Sequence, residues 1–199
     1  MANLSRLTAR FNSLKRCHTE CEVNFVQPFS VLIQRVGCPR RTKDERMITP
    51  DQFQALLPLA CAWAEEQEGH ILREGVPLSA GQIVDAKRIG LAYPERVRLR
   101  VVDEIPLPEN PALRAAAEAT ALISPLTAGL TLRYGIFIQS DYWCHRRLVV
   151  HELAHVAQYE RLGGFRPFLQ QYLFECLTIG YPEAPLEQEA KNIENRFCG

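Results

Sequence analysis

The sequence lacks long apolar runs, an export signal and closely spaced cysteine pairs. No stretch of the 199 residues approaches the roughly 18 apolar residues of a membrane span, so we expect no membrane partner. No basic start followed by an apolar core and a small-residue cleavage site marks a signal peptide. We therefore expect the protein to remain where it is made, in the cytoplasm.

The seven cysteines are odd in number and include no Cys-x-x-Cys pair. In a chain without an export signal, this pattern favours reduced thiols over a disulfide framework. A metal site built from Cys17, His18, Cys21 and Cys38 stays open as an alternative, although its spacing is loose.

The formal net charge is zero, but the charge is unevenly distributed along the chain. Residues 1–46 hold nine Lys/Arg against four Asp/Glu, whereas residues 47–199 hold fourteen against nineteen. The acidic balance of the longer part argues against a nucleic-acid partner. We expect residues 1–46 to form a basic extension that is poorly ordered, resembles a presequence or docks to a protein partner. Residues 47–199 then form the domain.

Residues 47–199 carry alternating helix and strand signals. Thr49 and Ser79 each begin a capping box, which predicts helices ending near Arg73 and Gly90. Alternating or continuous apolar residues predict strands over 96–102 and 130–138. Further helix signals cover residues 110–122, 140–162, 167–178 and 185 onwards. The sum is an α+β domain, mostly helical with a small sheet.

Two histidines four residues apart, His151 and His155, lie in an apolar helical stretch. At this spacing their imidazoles project from one helix face and can fill two corners of a tetrahedral zinc site. Glu152 lies between them, where its carboxylate can accept a proton from a zinc-activated water. The alternative is a pair of core histidines with a surface glutamate. Apolar helices rarely carry three such polar groups without use.

The His151–His155 segment resembles the gluzincin group of zinc metallopeptidases, in which a strand precedes the helix and a later helix supplies a glutamate ligand. Residues 129–190 are also similar to small bacterial metallopeptidase-like proteins, which carry a Pro-x-Glu-x-Glu-Ala segment, here residues 185–190. The resemblance implies a zincin-like domain that binds one Zn²⁺ per chain. It implies hydrolysis of a peptide or protein substrate, with strand 130–138 bordering the cleft.

Three glutamates compete as the third ligand that the resemblance implies. Glu187 matches the gluzincin pattern best, and Glu175 stands twenty residues after His155, a spacing similar to that of thermolysin-like enzymes. Glu189 is a ligand or a carboxylate that orients an imidazole. The chain departs from the pattern four residues after Glu187, where Lys191 replaces an acidic or amide residue.

A peptidase also needs a donor for the oxyanion of the reaction. Tyr159, one turn after His155, and Tyr181, just before the third ligand, are the main candidates. Weaker candidates are Tyr172, His145 and Arg133. We therefore predict zinc-dependent peptide hydrolysis with Glu152 as general base and acid. The alternative is a zinc-binding interaction or regulatory domain with little turnover, which would have no use for Glu152.

Overall fold

The computed structural model describes residues 48–120, 122–124 and 126–199. The predicted basic extension, residues 1–46, lies outside the described residues. Two short 3-10 turns, Pro94–Arg96 and Ser140–Tyr142, accompany the regular elements of the described part. These regular elements are, in chain order, α1 (Pro50–Glu74), β1 (Val76–Pro77), α2 (Ala80–Ile89), β2 (Arg98–Val102), α3 (Pro111–Thr120), β3 (Gly129–Leu132), β4 (Gly135–Gln139), α4 (Arg146–Leu162), α5 (Phe165–Thr178) and α6 (Pro185–Cys198).

The first two helices begin at the predicted capping boxes. The Thr49 hydroxyl accepts from the Gln52 amide at 3.2 Å, and the Gln52 side chain accepts from the Thr49 amide at 2.9 Å. Ser79 and Gln82 repeat this exchange at the start of α2. Gly90 ends α2 in a left-handed conformation with φ 106°. Both predicted helices are confirmed. Their ends could be predicted because they depend on residues close in sequence.

The four strands form one mixed sheet in the order β1-β2-β4-β3. Strands β2 and β4 are parallel, and the other two pairings are antiparallel. The predicted α+β class is confirmed. The prediction of one strand over residues 130–138 is wrong, because the chain turns at Arg133 and Tyr134 and Leu132 pairs with Gly135.

The turn between β3 and β4 is stabilised by a glutamate from α1. Arg133 adopts a left-handed φ of 56°, which is uncommon for a residue with a side chain. Buried Glu68 accepts from Arg133 Nε at 2.9 Å and from the Tyr134 amide at 3.0 Å. This contact spans 65 residues of sequence, so local apolar patterning could not predict the turn.

Side chains on both faces of the sheet are buried. Ile136 and Ile138 of β4 pack with residues of α2 and α4, while Phe137 between them packs with residues of α1 and α5. Strand β4 thus reads as a continuous apolar run rather than an alternating one. Helix α4 therefore packs against one face of the sheet.

Helix α4 begins later than predicted. A short 3-10 turn occupies Ser140–Tyr142, and the α-helix starts at Arg146 with His145 as an N-cap residue that makes no side-chain cap. The helix ends at Gly163, which is left-handed with φ 94°, as the sequence predicts. Helix α6 packs beside α4. None of the helices in the described ranges is long and apolar enough to cross a membrane.

Candidate metal centre

Helices α4 and α6 bring two imidazoles and one carboxylate together. His151 and His155 project from α4, and Glu187 projects from the first turn of α6. The two Nε2 atoms of the histidines are 3.2 Å apart. Glu187 Oε2 lies 3.4 Å from His151 Nε2, and Glu187 Oε1 lies 3.3 Å from His155 Nε2. One donor atom from each of the three residues lies within 4.8 Å of the others.

The three side chains fit a zinc ion in chemistry and in spacing. With zinc–donor distances of about 2.05 Å, the corners of a tetrahedron are about 3.3 Å apart. The two Nε2 atoms are 3.2 Å apart, and each lies 3.3 or 3.4 Å from one oxygen of Glu187, so each of these separations is close to an edge of that tetrahedron. The side chains are also shielded, with 15%, 8% and 5% exposure for His151, His155 and Glu187. The remaining corner is the one a water or substrate would take.

The carboxylate of Glu187 and the two imidazole rings shift one another's pKa values. Burial disfavours the charged form of Glu187, but the charge of His155 and the contacts with both imidazoles outweigh burial and hold its pKa well below the usual range. Burial likewise opposes protonation of His151, yet Glu187 and Glu194 raise its pKa to about 10. The cluster therefore favours a cation beside an ionised Glu187.

Glu187 is the glutamate that meets both histidines, and the Tyr172 hydroxyl donates to its Oε1 at 2.6 Å. Glu175 instead accepts from the Leu186 amide at 2.9 Å and so stabilises the start of α6. Glu189 pairs with Arg161, with 2.7 Å between Oε2 and Nη2. The two alternative candidates, Glu175 and Glu189, therefore make structural contacts around the cluster.

The other nitrogen of each imidazole also has a partner. His155 Nδ1 lies 2.8 Å from the side-chain oxygen of Gln158, whose amide donates to the Leu186 carbonyl and to Glu189. His151 Nδ1 lies 3.4 Å from Glu194 Oε2. Such partners orient ligand imidazoles and fix which nitrogen faces the metal. Sequence analysis missed both residues.

Helical spacing was the available signal for these two partners. Gln158 follows His155 by three residues, and Glu194 follows Glu187 by seven, so each lies on the same helix face as a residue of the cluster. The position four after Glu187, where the sequence suggested a departure, is therefore not the one that supports His151.

Glu152 is buried beside the cluster, at 5% exposure. The Thr131 hydroxyl of edge strand β3 donates to Glu152 Oε2 at 2.7 Å. The backbone at Gly129 approaches the same carboxylate so closely that a Cβ there would lie 2.8 Å from its Cδ. Strand β3 therefore fixes where the Glu152 carboxylate sits.

The structure separates the two main tyrosine candidates. Tyr159 is 1% exposed and stacks on Phe168 in the core, so it is not brought to the cluster. Burial raises the pKa of Tyr159. The groups that raise it further are Cys61 and Glu68, which belong to α1 and not to the cluster. Burial and the charges of Glu187 and Glu152 raise the pKa of Tyr181, so these carboxylates act on its phenol although the residue is 42% exposed.

The weaker candidates also differ in position. Tyr172 contacts Glu187 directly and packs edge-on against His155, with ring centroids 5.8 Å apart. His145 is exposed at the start of α4, and Arg133 is paired with Glu68 in the hairpin turn. Of these three, Tyr172 belongs to the cluster, as a hydrogen-bond donor to Glu187.

Comparison of the chain with protein-family models, curated proteins and solved structures finds no match. The fold and the site define a class: an α+β domain with a candidate His-His-Glu metal centre and a buried carboxylate beside it.

Proposed function

We propose that this protein is a zinc-dependent peptidase with a zincin-like, gluzincin-type domain. The observation that carries the proposal is the convergence of His151, His155 and Glu187 next to the buried carboxylate of Glu152. A purely structural zinc site is usually closed by four protein ligands and has no use for such a carboxylate. Three ligands plus a candidate base favour catalysis.

Each residue has a role that follows from its contacts. Zinc, when bound, would acidify a water and polarise the substrate carbonyl. Thr131 donates to Glu152 Oε2 and the Gly129 backbone approaches Oε1, and the carboxylate so placed accepts the proton of the attacking water and passes it to the leaving amine. Tyr181 is the proposed donor to the developing oxyanion, because the charges of Glu187 and Glu152 act on its phenol and raise its pKa.

Strand β3 supports a peptide rather than a compact small molecule as substrate. It is an edge strand of the sheet, and its Thr131 contacts Glu152. An extended peptide that pairs with an edge strand places its carbonyls in register along that strand. The scissile carbonyl would then lie beside the proposed base.

The test is the Glu152→Gln variant, assayed for zinc content and for cleavage of an unbiased peptide library. We expect the variant to keep its zinc, since no ligand changes, and to lose at least about 100-fold in rate. Unchanged cleavage would remove Glu152 from the mechanism. A zinc-loaded wild type that cleaves none of the peptides would favour the interaction-domain alternative.

A further inference from the structure

Helix α4 begins with two arginines, although positively charged residues are disfavoured at the start of a helix. The N-terminus of a helix carries partial positive charge, so Arg146 and Arg147 lie there at an electrostatic cost, which for Arg146 is offset by the buried carboxylate of Asp85, 2.9 Å from its Nη2. Such local conflicts often mark positions that serve a site. Both arginines donate to the last turn of α6: Arg146 to the Phe197 carbonyl at 2.9 Å, and Arg147 to the Cys198 carbonyl at 3.2 Å.

Arg147 also holds one oxygen of Glu194. Its Nε donates to Glu194 Oε1 at 2.9 Å, and its Nη2 lies 2.8 Å from the same atom. This leaves Glu194 Oε2 facing His151 Nδ1 at 3.4 Å. The side chains of Glu194 and His151 are only 16% and 15% exposed, so water screens this contact weakly.

We propose that Glu194, held by Arg147, is a positioning residue that orients His151 for metal binding. An acceptor at Nδ1 stabilises the tautomer with the proton on Nδ1, which leaves the Nε2 lone pair free for a metal. Nε2 is the atom that faces Glu187 and His155. The inference rests on the proposed zinc centre and extends it to a residue that touches no substrate.

A purely structural role is the competing explanation, since the Arg147–Glu194 pair also fastens α6 to α4. Three full-length variants separate the two roles. Glu194→Ala removes the acceptor, and Glu194→Gln keeps an uncharged acceptor of the same length. Glu74→Ala is the matched control, because it removes a glutamate paired with an arginine, Arg100, at 2.8 Å on other elements.

The readouts are zinc affinity by chelator competition and the NMR signal of the His151 Nδ1 proton in zinc-loaded protein. We expect Glu194→Ala to weaken zinc binding by about 10- to 100-fold, with Glu194→Gln in between and Glu74→Ala unchanged. The Nδ1 proton should exchange slowly with solvent in the wild type and rapidly in Glu194→Ala.

Equal zinc affinity and unchanged proton exchange in Glu194→Ala would overturn the positioning role while leaving the zinc centre intact. If Glu194→Ala does not fold, Glu194→Gln decides, because loss of the acceptor's charge must still weaken the contact. Wild-type affinity and exchange in that variant would then overturn the inference. A wild type that binds no zinc refutes the proposed function itself, which is a distinguishable failure.

Discussion

We expect Gly129→Ala to impair the proposed hydrolysis without changing a residue of the His151, His155 and Glu187 cluster. The added Cβ would lie 2.8 Å from Glu152 Cδ and 3.0 Å from Glu152 Cγ, whereas ordinary contact begins at 3.4 Å. The nearest carboxylate oxygen is closer still, so Glu152 must move by about 1 Å. A catalytic group misplaced by that distance costs on the order of 100-fold in rate.

The assay measures kcat and KM on the best library peptide, together with zinc content and thermal unfolding. Gly81→Ala is the matched control, because a Cβ at this exposed helical position meets nothing within 4 Å. We expect the control to keep full activity and to gain about 0.5–1 kcal/mol in stability. Wild-type kcat in Gly129→Ala would refute the claim that Glu152 must occupy its observed position.

Two further substitutions test the supports of the site and of the fold. Tyr172→Phe removes the 2.6 Å hydrogen bond to Glu187 but keeps the ring, so zinc affinity by chelator competition should fall about 10-fold while the unfolding midpoint changes little. Glu68→Ala leaves Arg133 without its partner and should cost about 2–3 kcal/mol in urea unfolding, against less than about 1 kcal/mol for Glu74→Ala at an exposed ion pair. Equal losses of unfolding free energy in Glu68→Ala and Glu74→Ala would contradict the claim that burial makes the Glu68–Arg133 pair more stabilising.

The sequence predicts elements well where their limits depend on neighbouring residues. The capping boxes at Thr49 and Ser79 and the glycine ends at Gly90 and Gly163 are all observed. Prediction from the sequence fails where a contact between distant residues determines the backbone. An example is Arg133, whose left-handed conformation is stabilised by Glu68. The apolar pattern continues through that turn, so a hairpin reads as one strand.

The candidate site divides in the same way. The face shared by His151 and His155 follows from helical periodicity. The choice of Glu187 over its neighbours depends on how α6 packs against α4, since Glu189 is two residues away yet reaches Arg161. The role of Glu194 is likewise set by packing between the two helices, which no single segment encodes.

Zinc content per chain is the measurement that tests the central claim most directly. Full-length protein and the His155→Ala variant are purified, exposed to zinc, dialysed and analysed for metal. We expect about one zinc per wild-type chain, bound by His151, His155 and Glu187, and its loss in the variant. A folded wild type that takes up no zinc, or a variant that binds it equally well, would contradict the account.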